Sequence, residues 1–259
     1  MLDAIVLGIV EGITEFLPVS STGHLILAGD VLGFTGDVAK TFEVFIQLGA
    51  ILAVVWFYRE KVTTTIKGIG SEKTNRFLLN LLIAFLPAAF FGLMAYSFIK
   101  KHLFNTTTVA FALIAGGIAI FVIERIVKKP VVTDVDDVSY KQALGIGMAQ
   151  TLSLFPGVSR AGATIMGAMC FGLDRKAATE FSFFLAIPTM IAATMFDLLK
   201  SLHNLTMNDV SIFAVGFIVS FVSAFFVIKA FLGFIKQHTF DSFAIYRVIF
   251  GIVVLLYYL

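Results

Sequence analysis

Six apolar runs, at about 41–58, 77–99, 107–127, 178–200, 209–228 and 241–259, restrict this chain more than any other feature. A helix that crosses a bilayer needs about 20 such residues, and each run is close to that length. Composition supports the same reading. Of 259 residues, 59% are hydrophobic and 14% charged, where an ordinary soluble domain carries about 25% charge. The expected class is an all-α polytopic membrane protein, with residues 1–259 forming a single integral membrane domain. A net charge of +2 without a long basic run gives no binding arm for nucleic acid. One cysteine, Cys170, excludes an intramolecular disulfide. The start, Met1-Leu2-Asp3, lacks the basic region of a cleavable signal peptide, so insertion is expected to rest on the spans.

Two further apolar pieces, 2–16 and 142–155, are too short to cross. As helices each would be about 21 Å long against a hydrocarbon core of about 30 Å. Each runs into a proline, Pro18 or Pro156, and then into a polar break followed by another short apolar piece. This pattern predicts two re-entrant helical hairpins. Non-helical backbone at membrane depth survives only against protein or a wet cavity, so both tips are expected to face one. The loops at 59–76, 124–141, 173–177 and 229–240 hold 13 of the 19 Lys and Arg, and the alternate loops hold 4. The positive-inside rule places the 13 in the cytoplasm. Both termini are then outside, the first hairpin enters from outside, and the second enters from the cytoplasm.

The halves, about 1–127 and 141–259, also resemble each other. LGIVEGITEFLPVSS at 7–21 aligns with LGIGMAQTLSLFPGVS at 144–159 with one gap, and Glu43 and Glu180 follow at similar distances. Together with opposite entry of the hairpins, this predicts an inverted-topology repeat, an architecture that places its site near the midplane between broken helices.

The polar residues concentrate in EGITEFLPVSSTGH (11–24) and PGVSRAGAT (156–164). Glu11 and Glu15 share a helical face, and an acidic residue at mid-bilayer costs about 2.5–3.5 kcal/mol. Oxygen ligands alone suit a hard divalent cation, Mg2+ or Ca2+. Ser20, Ser21 and Thr22 precede a short helix expected near Gly23. One of Ser20 and Thr22 is expected to cap it while Ser21 faces the cavity, since a helix N-terminus also attracts anions. His24, three residues after Ser21, completes a Ser–His arrangement suited to an activated nucleophile. Arg160 keeps its charge at any depth and needs an anion. It either bridges to Glu11 or Glu15 or grips a phosphate together with the hydroxyls of Ser159 and Thr164. Glu43, Gln47 and Glu180 either line the cavity or join helices by hydrogen bonds, and the second is expected. Arg247, inside the last apolar run, is expected to pair with an acid such as Asp241 or Glu180. His102, His203 and His238 read as surface residues.

An arginine and hydroxyls facing carboxylates, a serine and a histidine suit a phosphorylated lipid whose tail stays in the bilayer. The two motifs, within this hydropathy, resemble the signatures of the undecaprenyl-diphosphate phosphatases of the bacitracin-resistance family, over essentially the whole chain. The resemblance implies six spans with two re-entrant hairpins and hydrolysis of undecaprenyl diphosphate to the monophosphate and phosphate. That reaction recycles the carrier lipid of cell-wall synthesis. By motif, Glu11 and Glu15 match the family's acidic pair, Ser21 and His24 its catalytic pair, and Ser159, Arg160 and Thr164 its phosphate loop. Ala161 departs from the usual Ser-Arg-Ser and removes one hydroxyl.

The expected mechanism has Ser21 attack the terminal phosphorus while His24 removes its proton. Arg160 and a cation on Glu11 and Glu15 would stabilise the transferring oxygens. His24 as nucleophile and direct attack by water are the alternatives within the enzyme class. A transporter or flippase for a polyprenyl phosphate would use Arg160 equally well, but has no need of a Ser–His pair. The expected location is the cytoplasmic (inner) membrane, multi-pass, with the site opening toward the periplasmic or outer face. The expected partners are the lipid substrate and the membrane, and a homodimer is compatible with such a chain.

Overall fold

A computed structural model describes residues 1–127, 130–201 and 210–258. Eleven helices are described: α1 (Leu2–Thr14), α2 (Ser21–Leu32), α3 (Asp37–Phe57), α4 (Arg59–Lys67), α5 (Glu72–His102), α6 (Thr106–Ile126), α7 (Tyr140–Gln150), α8 (Arg160–Cys170), α9 (Arg175–Ser201), α10 (Val210–Phe234) and α11 (Asp241–Tyr258). The extended pairing among the described residues is an isolated bridge, Val132 with Leu173. Helices α3, α5, α6, α9, α10 and α11 are the six long and apolar enough to cross a membrane. Their outward faces carry exposed Leu82, Phe90, Phe111, Phe226 and Leu256. In water such a surface would be prohibitive, and in lipid it is solvated. The chain is a multi-pass membrane protein.

The six runs read from the sequence all appear as helices. Most extend several residues past the apolar stretch, because capping polar residues set the ends. Ser71 accepts from the Thr74 amide to start α5, Asn105 from the Thr108 amide to start α6, and Ser139 forms a capping box with Gln142 to start α7. The expected loop at 59–76 contains a helix of its own, α4, rich in charged and Thr residues and with none of its residues buried.

The basic loops meet at one end of the bundle. Lys61 reaches Asp136 at 2.5 Å and Lys73 reaches it at 3.1 Å, while Arg76 donates to the Asp137 and Val138 carbonyls. Arg175 pairs with Glu124, whose carboxylate also accepts from the Phe240 amide. Arg125 pairs with Asp241 at 2.9 Å.

Helix register fixes how the short helices run. A Cβ placed on Gly8 would stand 2.8 Å from the Gly216 carbonyl, and one on Gly12 would stand 2.6 Å from the Ser220 carbonyl. So α1 runs parallel to α10, inward from the end opposite the basic loops, with small residues letting the backbones close. His24 meets Tyr246, and Tyr258 meets Asp30 at 2.7 Å, so α2 runs back along α11 to the end where α1 began. The second pair does the reverse. Gln150 donates to the Ala84 carbonyl deep along α5, and the chain leaving α8 bonds to Val131 and Val132 at the basic end. At 13, 12, 11 and 11 residues, α1, α2, α7 and α8 span about 16–20 Å each. Helix α10 packs on α1 as α5 packs on α7, and α6 pairs with α11.

Candidate functional site

Both breaks between short helices turn on a serine in a left-handed conformation. Ser20 has φ 72° and Ser159 φ 75°, and they are the non-glycine residues with positive φ among those described. Each immediately precedes the second helix of its pair. Strain of this kind costs about 1–3 kcal/mol and persists where the surroundings over-determine it.

Arg247 supplies those surroundings. It is fully buried two turns into α11 and meets no carboxylate among the described residues. Nη1 donates to the Pro18 carbonyl at 3.1 Å and the Val158 carbonyl at 2.9 Å. Nη2 donates to Gly157 at 3.0 Å and Ala112 at 3.1 Å, and Nε donates to Leu113 at 3.3 Å. The expected pairing with Asp241 or Glu180 is therefore corrected. Asp241 belongs to Arg125, Glu180 accepts from Tyr58 at 3.4 Å, and Arg247 binds the carbonyls of both breaks. Pro18, Gly157 and Val158 turn their carbonyls out of the two breaks toward this point, beside Ala112 and Leu113 of α6, and five N–H donors match that set of acceptors better than an acid would.

With the breaks fixed, the two motifs meet. Glu15, 7% exposed, sits just past α1, one turn from the fully buried Glu11. Ser21, the first residue of α2 and not Gly23 as expected, donates to Glu15 Oε2 at 2.5 Å. Arg160, the first residue of α8, donates from Nη2 to Glu15 Oε1 at 2.9 Å and from Nη1 to the Ser182 carbonyl at 3.1 Å. One carboxylate thus joins the two pairs of short helices, and Arg160 forms the ion pair that was one of its two expected roles. Phe16 lies beneath the guanidinium, 5.8 Å from ring centre to Cζ. Of the motif side chains among the described residues, two buried groups have no hydrogen-bond partner: the carboxylate oxygens of Glu11, and Arg160 Nε. An unpaired buried polar atom costs about 1–3 kcal/mol, more when charged. One lies on each pair of short helices, one an acceptor set and the other a donor.

His24 is placed otherwise than expected. Its Nδ1 meets the Ser20 carbonyl at 2.7 Å, and its Nε2 meets the Tyr246 hydroxyl at 2.6 Å. The ring stacks on Phe250 at 4.1 Å and 13°. No hydrogen bond joins Ser21 to His24 among the described residues, and the serine proton is directed to Glu15. The two share a helical turn, but the strained Ser20 carbonyl draws the imidazole outward.

The remaining hydroxyls support rather than line the site. Ser159 Oγ caps α8 by accepting from the Gly162 amide at 3.0 Å. Thr164, with no exposed surface, donates to the Arg160 carbonyl at 2.9 Å and meets Ser182 Oγ at 2.6 Å. Ser20 occupies the cap position of α2, but its side chain makes no cap bond, and Thr22 is half-buried. Ala161 is fully buried in the core, so the hydroxyl absent there would face packed side chains. Glu43 and Gln47 are half-buried on α3, and His102 and His238 are exposed. His203 lies outside the described residues. No three His, Cys, Asp or Glu side chains cluster to hold an ion by themselves among the described residues. The two carboxylates nevertheless fit Mg2+ or Ca2+, since such ions are commonly held by one or two carboxylates with water and substrate oxygens completing the shell. Sequence reasoning missed Ser182, Tyr246, Phe250 and the role of Arg247. Only the buried charge of Arg247 carried a signal.

Comparison with known proteins adds independent information. Residues 4–253 match the family described as bacitracin resistance protein BacA. A protein of Methylobacillus flagellatus named undecaprenyl-diphosphatase is 51% identical over 263 residues, covering 100% of this chain and 98% of its own. Proteins of the same name from Nitrosomonas europaea and Nitrosospira multiformis are 55% and 54% identical, each covering 99% of this chain and 94% of its own.

Proposed function

Since this chain belongs to the bacitracin-resistance protein family, we propose that Glu15, Ser21 and Arg160 form the catalytic centre of an undecaprenyl-diphosphatase. The chain hydrolyses undecaprenyl diphosphate to the monophosphate and phosphate, returning the carrier lipid to cell-wall synthesis. The observation that carries the residue assignment is the shared carboxylate: Glu15 holds the Ser21 proton at 2.5 Å and the Arg160 guanidinium at 2.9 Å.

In this reading Ser21 Oγ attacks the terminal phosphorus, and its proton passes to Glu15 Oε2. The bond from that phosphorus to the bridging oxygen breaks, and the lipid monophosphate leaves as an anion without needing a proton. Water then attacks the seryl phosphate, and the proton on Glu15 returns to Ser21 as phosphate departs. Arg160 Nε is the unpaired donor for a transferring oxygen, and Nη1 is braced by Ser182 so that the fork keeps its angle. Ser159 and Thr164 hold the backbone that carries Arg160. Glu11 and Glu15 are the residues that would hold Mg2+ or Ca2+. Such a cation, when bound, neutralises charge on the diphosphate and polarises its phosphoryl oxygens. His24, bonded to Tyr246, is kept from Ser21 and is left to serve the second step or the orientation of the head group.

The short helix pairs are read as re-entrant hairpins related by an inverted repeat. The basic end lies in the cytoplasm, and the first hairpin, with the site, opens to the outer face of the cytoplasmic membrane. A homodimer is compatible with this arrangement.

The test is phosphate release from a polyprenyl diphosphate by purified protein, with Ser21→Ala alongside. The wild type is expected to release phosphate and the variant to fall by several orders of magnitude. Carriage of labelled lipid phosphate across sealed liposomes without any release would instead identify a flippase.

A further inference from the structure

Helix α11 contributes nothing to either signature motif, yet Tyr246 and Phe250 on it hold His24 together with the Ser20 carbonyl. Because a carbonyl only accepts, the 2.7 Å contact with the Ser20 carbonyl places the proton on Nδ1. Nε2 then carries the lone pair, and the Tyr246 hydroxyl, 2.6 Å away, donates to it. The ring is pinned flat against Phe250 at 4.1 Å, one turn along α11, and lies parallel to Tyr246 at 5°. Arg247, between them in sequence, turns inward to the breaks and is the charged neighbour that acts on the imidazole. We infer that Tyr246 is a positioning residue of the hydrolytic reaction, holding the His24 imidazole in one tautomer and one orientation beside the strained Ser20 turn. This rests on the diphosphatase reading above.

The pairing has a property that a fixed donor would lack. A phenol both donates and accepts. While His24 is neutral, Tyr246 gives its proton to the Nε2 lone pair. Once Nε2 has taken up a proton, that N–H donates to the phenol oxygen, whose own proton turns to another acceptor. The heavy-atom geometry is kept across a proton transfer. The basic nitrogen that faces Tyr246 is also the one a general base would use, so the phenol sets when and where that nitrogen is available. The two residues are 222 positions apart and join the first hairpin to the last span.

Tyr246→Phe removes the hydroxyl and keeps the stacked ring. One lost orienting hydrogen bond predicts a fall in kcat of about tenfold, KM within about twofold, and an unchanged melting temperature. In 15N-histidine spectra the Nδ1–H tautomer is expected to persist, with Nε2 moving toward the position of an unbonded imidazole nitrogen. In a His24→Ala background the same substitution should have no further effect, as coupled residues require. Wild-type kcat in Tyr246→Phe with an unshifted Nε2 signal would overturn the inference, and so would an equal loss with and without His24. Absence of phosphate release by the wild type itself would instead overturn the diphosphatase reading.

Discussion

Replacing Arg247 by Leu tests the claim that one guanidinium holds both breaks. The side chain donates to five carbonyls, but these are not equivalent. Ala112 and Leu113 lie inside α6 and keep their helical amides. Pro18, Gly157 and Val158 lie in the breaks and lose a charged donor. Hydrogen bonds to charged groups contribute about 1.5–3 kcal/mol each, so three represent about 5–9 kcal/mol. Against this stands the desolvation of a guanidinium buried with no anion, several kcal/mol that the variant no longer bears. The net expectation is a loss of about 2–5 kcal/mol, concentrated in the breaks rather than spread over the bundle. Two assays separate local from global effects. Hydrogen exchange at residues 15–21 and 155–160 should accelerate far more than in α3 or α10, and phosphate release should fall at least a hundredfold. Arg247→Lys retains the charge but only three donors, and should fall between. A leucine variant with wild-type exchange in both breaks would refute the reasoning, whatever its activity.

Gly116→Ala offers the same test from the opposite side. A methyl there would overlap the Arg247 guanidinium and displace it, so activity should drop with Arg247 still present, measured by phosphate release. Glu15→Gln removes the acceptor of the Ser21 proton and the partner of Arg160. kcat should fall by about a thousandfold or more, within the range for losing a positioned base, as steady-state kinetics would report. At the basic end, burial pushes the Asp136 carboxyl up, but hydrogen bonds from Lys61 and Lys73 outweigh it and hold it below its ordinary value. A depressed carboxyl contributes stability above its unfolded value and loses it as pH falls through the folded one. Exchange at residues 130–138 should therefore rise below about pH 4, and Asp136→Asn should reproduce that at neutral pH. Chelation should lower phosphate release reversibly, with Mg2+ or Ca2+ restoring it, while Glu11→Gln should weaken the restoration.

Much of this was legible because membranes write strongly into sequence. An unbroken apolar run of about 20 residues reads as a helix, since the other structure that satisfies its amides in lipid, a closed barrel, uses shorter strands of alternating polarity, and so the six spans could be read directly. The breaks announced themselves by length: α1 and α7 are too short to cross and stop at polar residues. Glu15, Ser21 and Arg160 were legible as polar residues that lipid would otherwise reject. What could not be read was the pairing. Arg247 was assigned an acid because acids are visible in a sequence, whereas turned-out carbonyls at Pro18, Gly157 and Val158 leave no letter behind. Ser21 and His24 were joined by spacing along a helix. The positive φ of Ser20, which bends its carbonyl toward His24, is a property of the packed turn and of Arg247 behind it. Tyr246 carries no signal in the sequence, because its contact with His24 exists only once the last span packs beside α2.

The measurement that bears most directly on the centre is the covalent state of Ser21 during turnover. Purified protein mixed with a polyprenyl diphosphate, quenched in acid within the first turnover and digested, is expected to carry phosphate on the peptide containing Ser21. The phosphate should appear and vanish with the kinetics of release. Full turnover with Ser21 unmodified at every quench time, and the phosphate oxygen drawn directly from water, would contradict it.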